Sequence, residues 1–151
     1  MINEQIPDSA QQSLINLKND QGYNPLMTAI EKGNKEVIYR LRQSGAKFID
    51  GNYDKDIVTA KLLNFGQIGN LLGVQMYYYA GLQNLEDYVN VDGRNIAHIC
   101  ASYGGIDIIK FLKDEVAFDF SVMDLEGRTA YDDAKYFGFG DIMELVKPVS
   151  R

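Results

Sequence analysis

Two side chains that could serve as nucleophile and base lie two positions apart in NVDGRNIAHICASYGG, residues 90–105. They are His98 and Cys100, the only histidine and the only cysteine of the 151-residue chain. A thiolate–imidazole pair needs hydrogen-bond contact. On a helix a spacing of two separates side chains by about 200°, on different faces, so these two cannot activate each other there. One His and one Cys also fall short of the four ligands a zinc site uses. No H-x-x-x-H, C-x-x-C or D-x-D-x-D-G pattern is present. Three adjacent acid pairs, Glu86–Asp87, Asp114–Glu115 and Asp132–Asp133, could in principle supply acid–base chemistry. The last pair falls in the first turn of a predicted helix, where negative charge suits the helix dipole. GQIGNLLG has no Lys-Ser/Thr after it and no strand before it, so it is not a phosphate loop. No G-x-S-x-G occurs. The residue types therefore predict a non-catalytic protein with no cofactor and no metal.

Composition narrows the remaining classes. Hydrophobic residues make up 46% and charged residues 24%, as in an ordinary globular domain. The formal charge of −6 is uneven: residues 86–151 carry thirteen acids and seven bases, whereas residues 1–85 are balanced. Nucleic-acid binding needs clustered Lys and Arg, and no cluster exists. A single cysteine cannot form an internal disulfide, which points to the cytoplasm or another reducing compartment. The opening MINEQIPDSAQQ has no apolar core and is not expected to act as a signal peptide. Residues 62–85 contain no charge, but six amides are spread through them, which hydrocarbon would penalise. No membrane span is expected.

The elements that place these residues are repeated. DQGYNPLMTAIEKGNKEVIYRL (20–41), VDGRNIAHICASYGGIDIIKFL (91–112) and LEGRTAYDDAKYFGFGDIMELV (125–146) share one frame. Each has an early glycine (Gly22, Gly93, Gly127), a second glycine eleven residues later (Gly33, Gly104, Gly138), and then an apolar pair. Gly93 and Gly127 are 34 apart, whereas Gly22 and Gly93 are 71 apart, room for two units. A step of 36 from Gly33 and Asn34 lands on Gly69 and Asn70, and carries Ile38 to Val74 and Leu41 to Tyr77. Val58 stands at the early glycine of that second unit, which is degenerate. Each unit reads as two short helices that cannot bury their apolar faces alone, so stacking must complete the core. In the third unit Asn95 is placed to cap the first helix. Ala97, Cys100 and Ala101 offer a small-residue face, Gly104 and Gly105 end the helix, and Ile108, Ile109, Phe111 and Leu112 are the apolar side of the second helix.

This pattern resembles the ankyrin repeat. The first unit has GYNPLMTAI with Pro25 and Leu26, the third has His98 in NIAHICA, and the fourth has Thr129 in GRTAYDDA. The resemblance implies an all-α ankyrin solenoid of about four helix-turn-helix units over residues 19–147. Residues 1–18 would form a polar arm or a vestigial repeat, and residues 148–151 a tail. It implies that His98 hydrogen-bonds backbone of the adjoining loop and that Cys100 takes a small-residue position. It further implies an interaction module that binds a protein partner through a concave face of hairpin tips and first helices. Carried onto this chain, those positions are Tyr23, Glu31, Lys32, Arg94, Ser102, Tyr103, Arg128, Tyr136 and Phe137. Tyr and Arg are types enriched at binding hot spots. In the YYY run, Tyr77 maps to a core position, which leaves Tyr78 and Tyr79 as a second, aromatic candidate patch. Two further readings stay open. DYVNVDGRNIAHICASYGGIDIIKFL is similar to the ankyrin tail of the cytosolic asparaginase and 60-kDa lysophospholipase family, and DLEGRTAYDDAKYFGFGDIMELV, less specifically, to that of glutaminases. On that resemblance the chain would regulate or oligomerise such an enzyme. Alternatively it is a structural subunit of a large assembly.

Overall fold

The computed structural model describes residues 25–44 and 54–148. The reading of residues 1–18 as an arm, and Tyr23, lie outside them. Every regular element among the described residues is helical. The helices are α1 (Pro25–Lys32), α2 (Lys35–Gln43), α3 (Lys55–Ile68), α4 (Leu71–Tyr79), α5 (Ile96–Tyr103), α6 (Ile106–Phe111), α7 (Ala130–Phe137) and α8 (Gly140–Val146). A 3-10 turn spans Leu85–Asp87, and a π turn, Leu112–Val116, continues α6.

The helices come in pairs, and one backbone device makes each pair. A left-handed glycine ends the first helix at Gly33, Gly69, Gly104 and Gly138, with φ between 70° and 82°. The next residue's N–H then reaches five residues back. Asn34 donates to Ala29 O, Asn70 to Phe65 O, Gly105 to Cys100 O and Phe139 to Ala134 O, at 2.8–3.2 Å. This closes the carbonyls a helix end leaves open, in a conformation a Cβ would resist. The second helix starts one residue later in all four pairs.

The second pair departs from the others. Its first helix, α3, has 14 residues where α1, α5 and α7 have eight. The extra residues are at the N-terminal end, so Val58, at the position of the early glycine, is helical and fully buried. Thr59 turns its hydroxyl back onto Lys55 O at 2.8 Å, satisfying itself within the helix. Here the missing glycine is explained: a helical turn stands where the third and fourth units have a hairpin.

By contact the chain divides into two compact units, Met1–Asp54 with Gln75–Leu82, and Lys55–Val74 with Gln83–Arg151. In the smaller one α1 packs on α2, with Ala29 and Ile38 buried. Tyr77 is buried there too, as its core position requires. In the larger one the first helices stack, α3 on α5 and α5 on α7, and the second helices stack, α6 on α8. Two layers of helices thus share one core. Small residues allow the close stacking: Ala97, Cys100 and Ala101 of α5 and Ala130 and Ala134 of α7 are all buried. At Gly66 of α3 a Cβ would lie 3.1 Å from Ile96 and 3.3 Å from the Cys100 sulfur. Leu62, Ile96, Ile108, Ile109 and Leu112 fill the space between layers.

Candidate functional site

The first helices α5 and α7 hold their outward side chains on fixed backbone, because both ends of each are capped. Asn95 caps α5: its Oδ1 accepts the N–H groups of Ala97 and His98, at 3.0 and 3.2 Å. Thr129 caps α7 and forms a reciprocal box with Asp132, which accepts the Thr129 N–H at 3.0 Å. Such caps satisfy donors the first turn leaves unpaired.

The hairpins ahead of these helices follow one plan at a step of 34. Asn90 Oδ1 accepts from Asp92 and Arg94 N–H, and Asp124 Oδ1 accepts from Glu126 and Arg128 N–H. Across each turn, Asn90 N–H donates to Arg94 O and Asp124 N–H to Arg128 O. The hairpins join through Leu125 N–H and Asp92 O at 2.9 Å. Asn90 and Asp124, three residues before each glycine, are thus the anchors of the two hairpins, and the 34-residue spacing of an Asn/Asp was the signal for them.

His98 and Cys100 point to different neighbours. His98 is buried. Its Nδ1 accepts the Asn95 N–H at 3.1 Å, and its Nε2 lies 2.9 Å from Arg128 O. Those two bonds assign the proton to Nε2, which donates to the carbonyl. The imidazole thus ties α5 to the hairpin of the next pair. The Cys100 sulfur lies instead 4.0 Å from Gly66 O on the preceding helix α3. Burial pushes its thiol up to about 12, so the thiolate that a nucleophile requires is suppressed. Among the described residues no group of three or more His, Cys, Asp or Glu could hold a metal ion.

Arg94, one of the candidate contact residues, is turned inward. Its guanidinium donates to Asp124 Oδ2 at 3.1 Å and Ser102 Oγ at 2.8 Å, and lies 3.2 Å from Asp133 Oδ2. Ser102, also a candidate, is thereby engaged. Asp124 and Asp133 are both buried. Burial acts to raise the Asp124 carboxyl, but the Arg128 and Glu126 N–H groups and Arg94 outweigh it and hold it below the ordinary value. For Asp133 burial wins over Arg94, and its carboxyl is raised. Arg94, 3.2 Å from its Oδ2, lowers it, but not enough to offset burial and the neighbouring Asp124 charge. Asp132 and Asp133 thus split roles, one capping α7 at the surface and the other closing a buried charge cluster. Their adjacency in sequence does not reveal this.

The remaining candidates face outward. Tyr103 on α5 and Tyr136 and Phe137 on α7 are 57%, 73% and 53% exposed. Phe137 is the counterpart of Tyr103 at the step of 34, and the rings of Tyr136 and Phe137 stand edge to face at 4.9 Å. Such a pair offers a large apolar surface in a defined geometry. Arg128 is exposed and makes no ion pair among the described residues, unlike its counterpart Arg94. Lys32 is exposed in the smaller unit. There too Tyr79 is about half exposed and packs edge to face on Tyr78, centroids 5.6 Å apart. The side chain of Glu31 lies outside what the structure describes. No helix among the described residues is long and apolar enough to cross a membrane.

No known family model matches this chain, and no curated protein matches it.

Proposed function

We propose that this chain is an ankyrin-type interaction module that binds a protein partner and catalyses no reaction. The observation that carries the reading is the exposure of Tyr103, Tyr136 and Phe137 on two stacked helices. Three large rings are exposed on two helices whose N-terminal ends are capped. Water-exposed aromatics of this size on capped helices are a cost that a partner surface removes, and tyrosine is a preferred hot-spot residue. Arg128, exposed at the hairpin before α7, adds a cation able to pair with a partner's carboxylate. Arg94 and Ser102 serve the site from beneath, by fixing α5 against the next pair.

The test is cross-linking mass spectrometry on the protein purified gently from its own cells. It is repeated with Tyr103→Ala/Tyr136→Ala and separately with Tyr78→Ala/Tyr79→Ala. A partner linked near residues 94–137 and lost only with the first pair supports this reading. Links gathered around residues 70–82, with many neighbours and loss only with the second pair, transfer the function to the aromatic patch of the smaller unit and to a subunit role in an assembly.

A further inference from the structure

The hairpins before α5 and α7 end in tips that repeat at the step of 34. Gly93 N–H donates to Asn90 O at 2.9 Å and Gly127 N–H to Asp124 O at 3.0 Å, so residues 90–93 and 124–127 are β-turns. Turn centres usually carry polar residues or glycine. Here the second turn position holds Val91 in one tip and Leu125 in the next, 90% and 78% exposed. The residue two places before each is also apolar and exposed, Val89 and Met123. The turns are closed without these side chains, by Asn90, Asp124 and the glycines. A lone exposed aliphatic group is ordinary, but the same pattern in two successive tips makes a strip. The tips also touch. Leu125 N–H donates to Asp92 O, and the Leu125 side chain lies over Gly93, where a Cβ would come within 3.3 Å of its Cγ.

The third turn position is an acid in both tips, Asp92 and Glu126. Both are exposed, and neither carboxylate has a hydrogen bond or ion pair among the described residues. Asp87, just ahead of the first hairpin, is a third such acid. The hairpins hold two arginines. Arg94 is committed to Asp124 and Asp133, and Arg128 is exposed. Three open carboxylates against one open guanidinium leave the strip anionic. That sign selects the occupant. Anionic lipid headgroups and nucleic acid are repelled. A second copy docked tip to tip would set like charges against each other. An extended protein segment with aliphatic and cationic side chains fits on both counts, and Lys and Arg stems add apolar cover beside their charges.

We infer that the two hairpin tips dock an extended, cationic segment of a partner protein. Its aliphatic side chains lie on Val91 and Leu125, and its Lys or Arg side chains pair with Asp92 and Glu126. The inference rests on the reading of the chain as an interaction module and supplies a partner chemistry for it. It uses none of Tyr103, Tyr136 and Phe137.

The probe is a labelled peptide, GLKLRLKG, titrated with the full chain and read by fluorescence anisotropy and by chemical-shift mapping. Saturable binding is expected with Kd on the order of 0.1 mM, with shifts centred on residues 89–94 and 123–128 and with affinity falling as salt rises. The acidic counterpart, GLELELEG, is expected not to bind. Val91 and Leu125 are exposed, so Val91→Ser/Leu125→Ser leaves the melting temperature nearly unchanged and cuts affinity about tenfold. Asp92→Asn/Glu126→Gln weakens binding about tenfold and removes most of its salt dependence. Tyr103→Ala/Tyr136→Ala leaves peptide binding intact. The inference is overturned by no saturation up to ~1 mM, by equal binding of the acidic peptide, by either tip variant binding as the parent does, or by shifts confined to residues outside the tips. Partner cross-links that are lost with Tyr103→Ala/Tyr136→Ala, in a chain that does not bind the peptide, overturn this inference and leave the interaction-module reading standing. Peptide binding at the tips, with no cross-link that depends on Tyr103 and Tyr136, supports it and removes the aromatic face from that reading.

Discussion

At the scale of single residues, the buried polar side chains of this protein are divided by whether each proton or charge has a counterpart. His98 has one on each nitrogen. Asp124 has several, whereas at Asp133 the charge of Arg94 does not offset burial. The two aspartates therefore act on stability with opposite signs. The Asp124 carboxyl is lowered in the fold, so its contribution is complete above the ordinary carboxylate range and fades as pH falls through its folded value. The Asp133 carboxyl is raised, so its contribution is complete below that range and fades as pH rises through its folded value. Urea midpoints measured from pH 7 downward are expected to show Asp124→Asn most damaging at pH 7, with the gap to the parent closing in acid. Asp133→Asn is expected to open its gap in acid. Identical pH profiles for the two variants would contradict the assignment. The buried thiol gives a second outcome: Cys100 is expected to resist a thiol-specific chromogenic reagent in the native protein and to react within minutes in denaturant. Rapid native labelling would mean that α3 and α5 separate readily. The opposed orientations of His98 and Cys100 were legible in their spacing alone. The charge cluster was not, because Arg94, Asp124 and Asp133 are distant in sequence and meet only when the helix pairs stack.

At the scale of elements, the glycines that end the first helices were legible as a period, since only a glycine takes that backbone angle without strain. The length of α3 was not: the absence of a glycine at Val58 signalled a departure but not its form, and Leu, Val and Ala suit a buried helix as well as a hairpin flank. Two hairpin glycines make the element-level test. Gly93 and Gly127 both have positive φ, 75° and 78°. A Cβ on Gly93 would lie 3.1 Å from the backbone nitrogen of Leu125, whereas a Cβ on Gly127 would meet nothing within 4 Å. Gly127→Ala is expected to cost about 1 kcal/mol, from the backbone angle alone. Gly93→Ala adds a clash with backbone and is expected to cost roughly 1–3 kcal/mol more. Equal costs in chemical denaturation would show that the hairpins are not held together as described.

At the scale of the whole molecule, the repeated pairs were visible in the sequence because their spacing of 34–36 residues survives even where individual motif residues do not. The stacking order of the larger unit follows from short connections and from small residues on facing helices. What could not be read was which outward residues are free, because Arg94 looks as accessible as Arg128 in a repeat alignment and is committed inward. That commitment has a further consequence. Arg94 and His98 belong to the third pair, yet Asp124, Asp133 and the Arg128 carbonyl, which receive them, all belong to the fourth. If the fourth pair opens by itself, a part-buried guanidinium and a buried ring N–H lose their acceptors together, so opening one pair alone is penalised. These two pairs should therefore melt in one transition rather than peel from the end. Native-state hydrogen exchange is expected to give amides of α5 and α7 the same opening free energy, and a chain shortened after Ser121 should lose protection in α5 as well. A protein assembled from repeated helix pairs is thus expected to have, at this junction, a cooperative unit twice the size of its repeat.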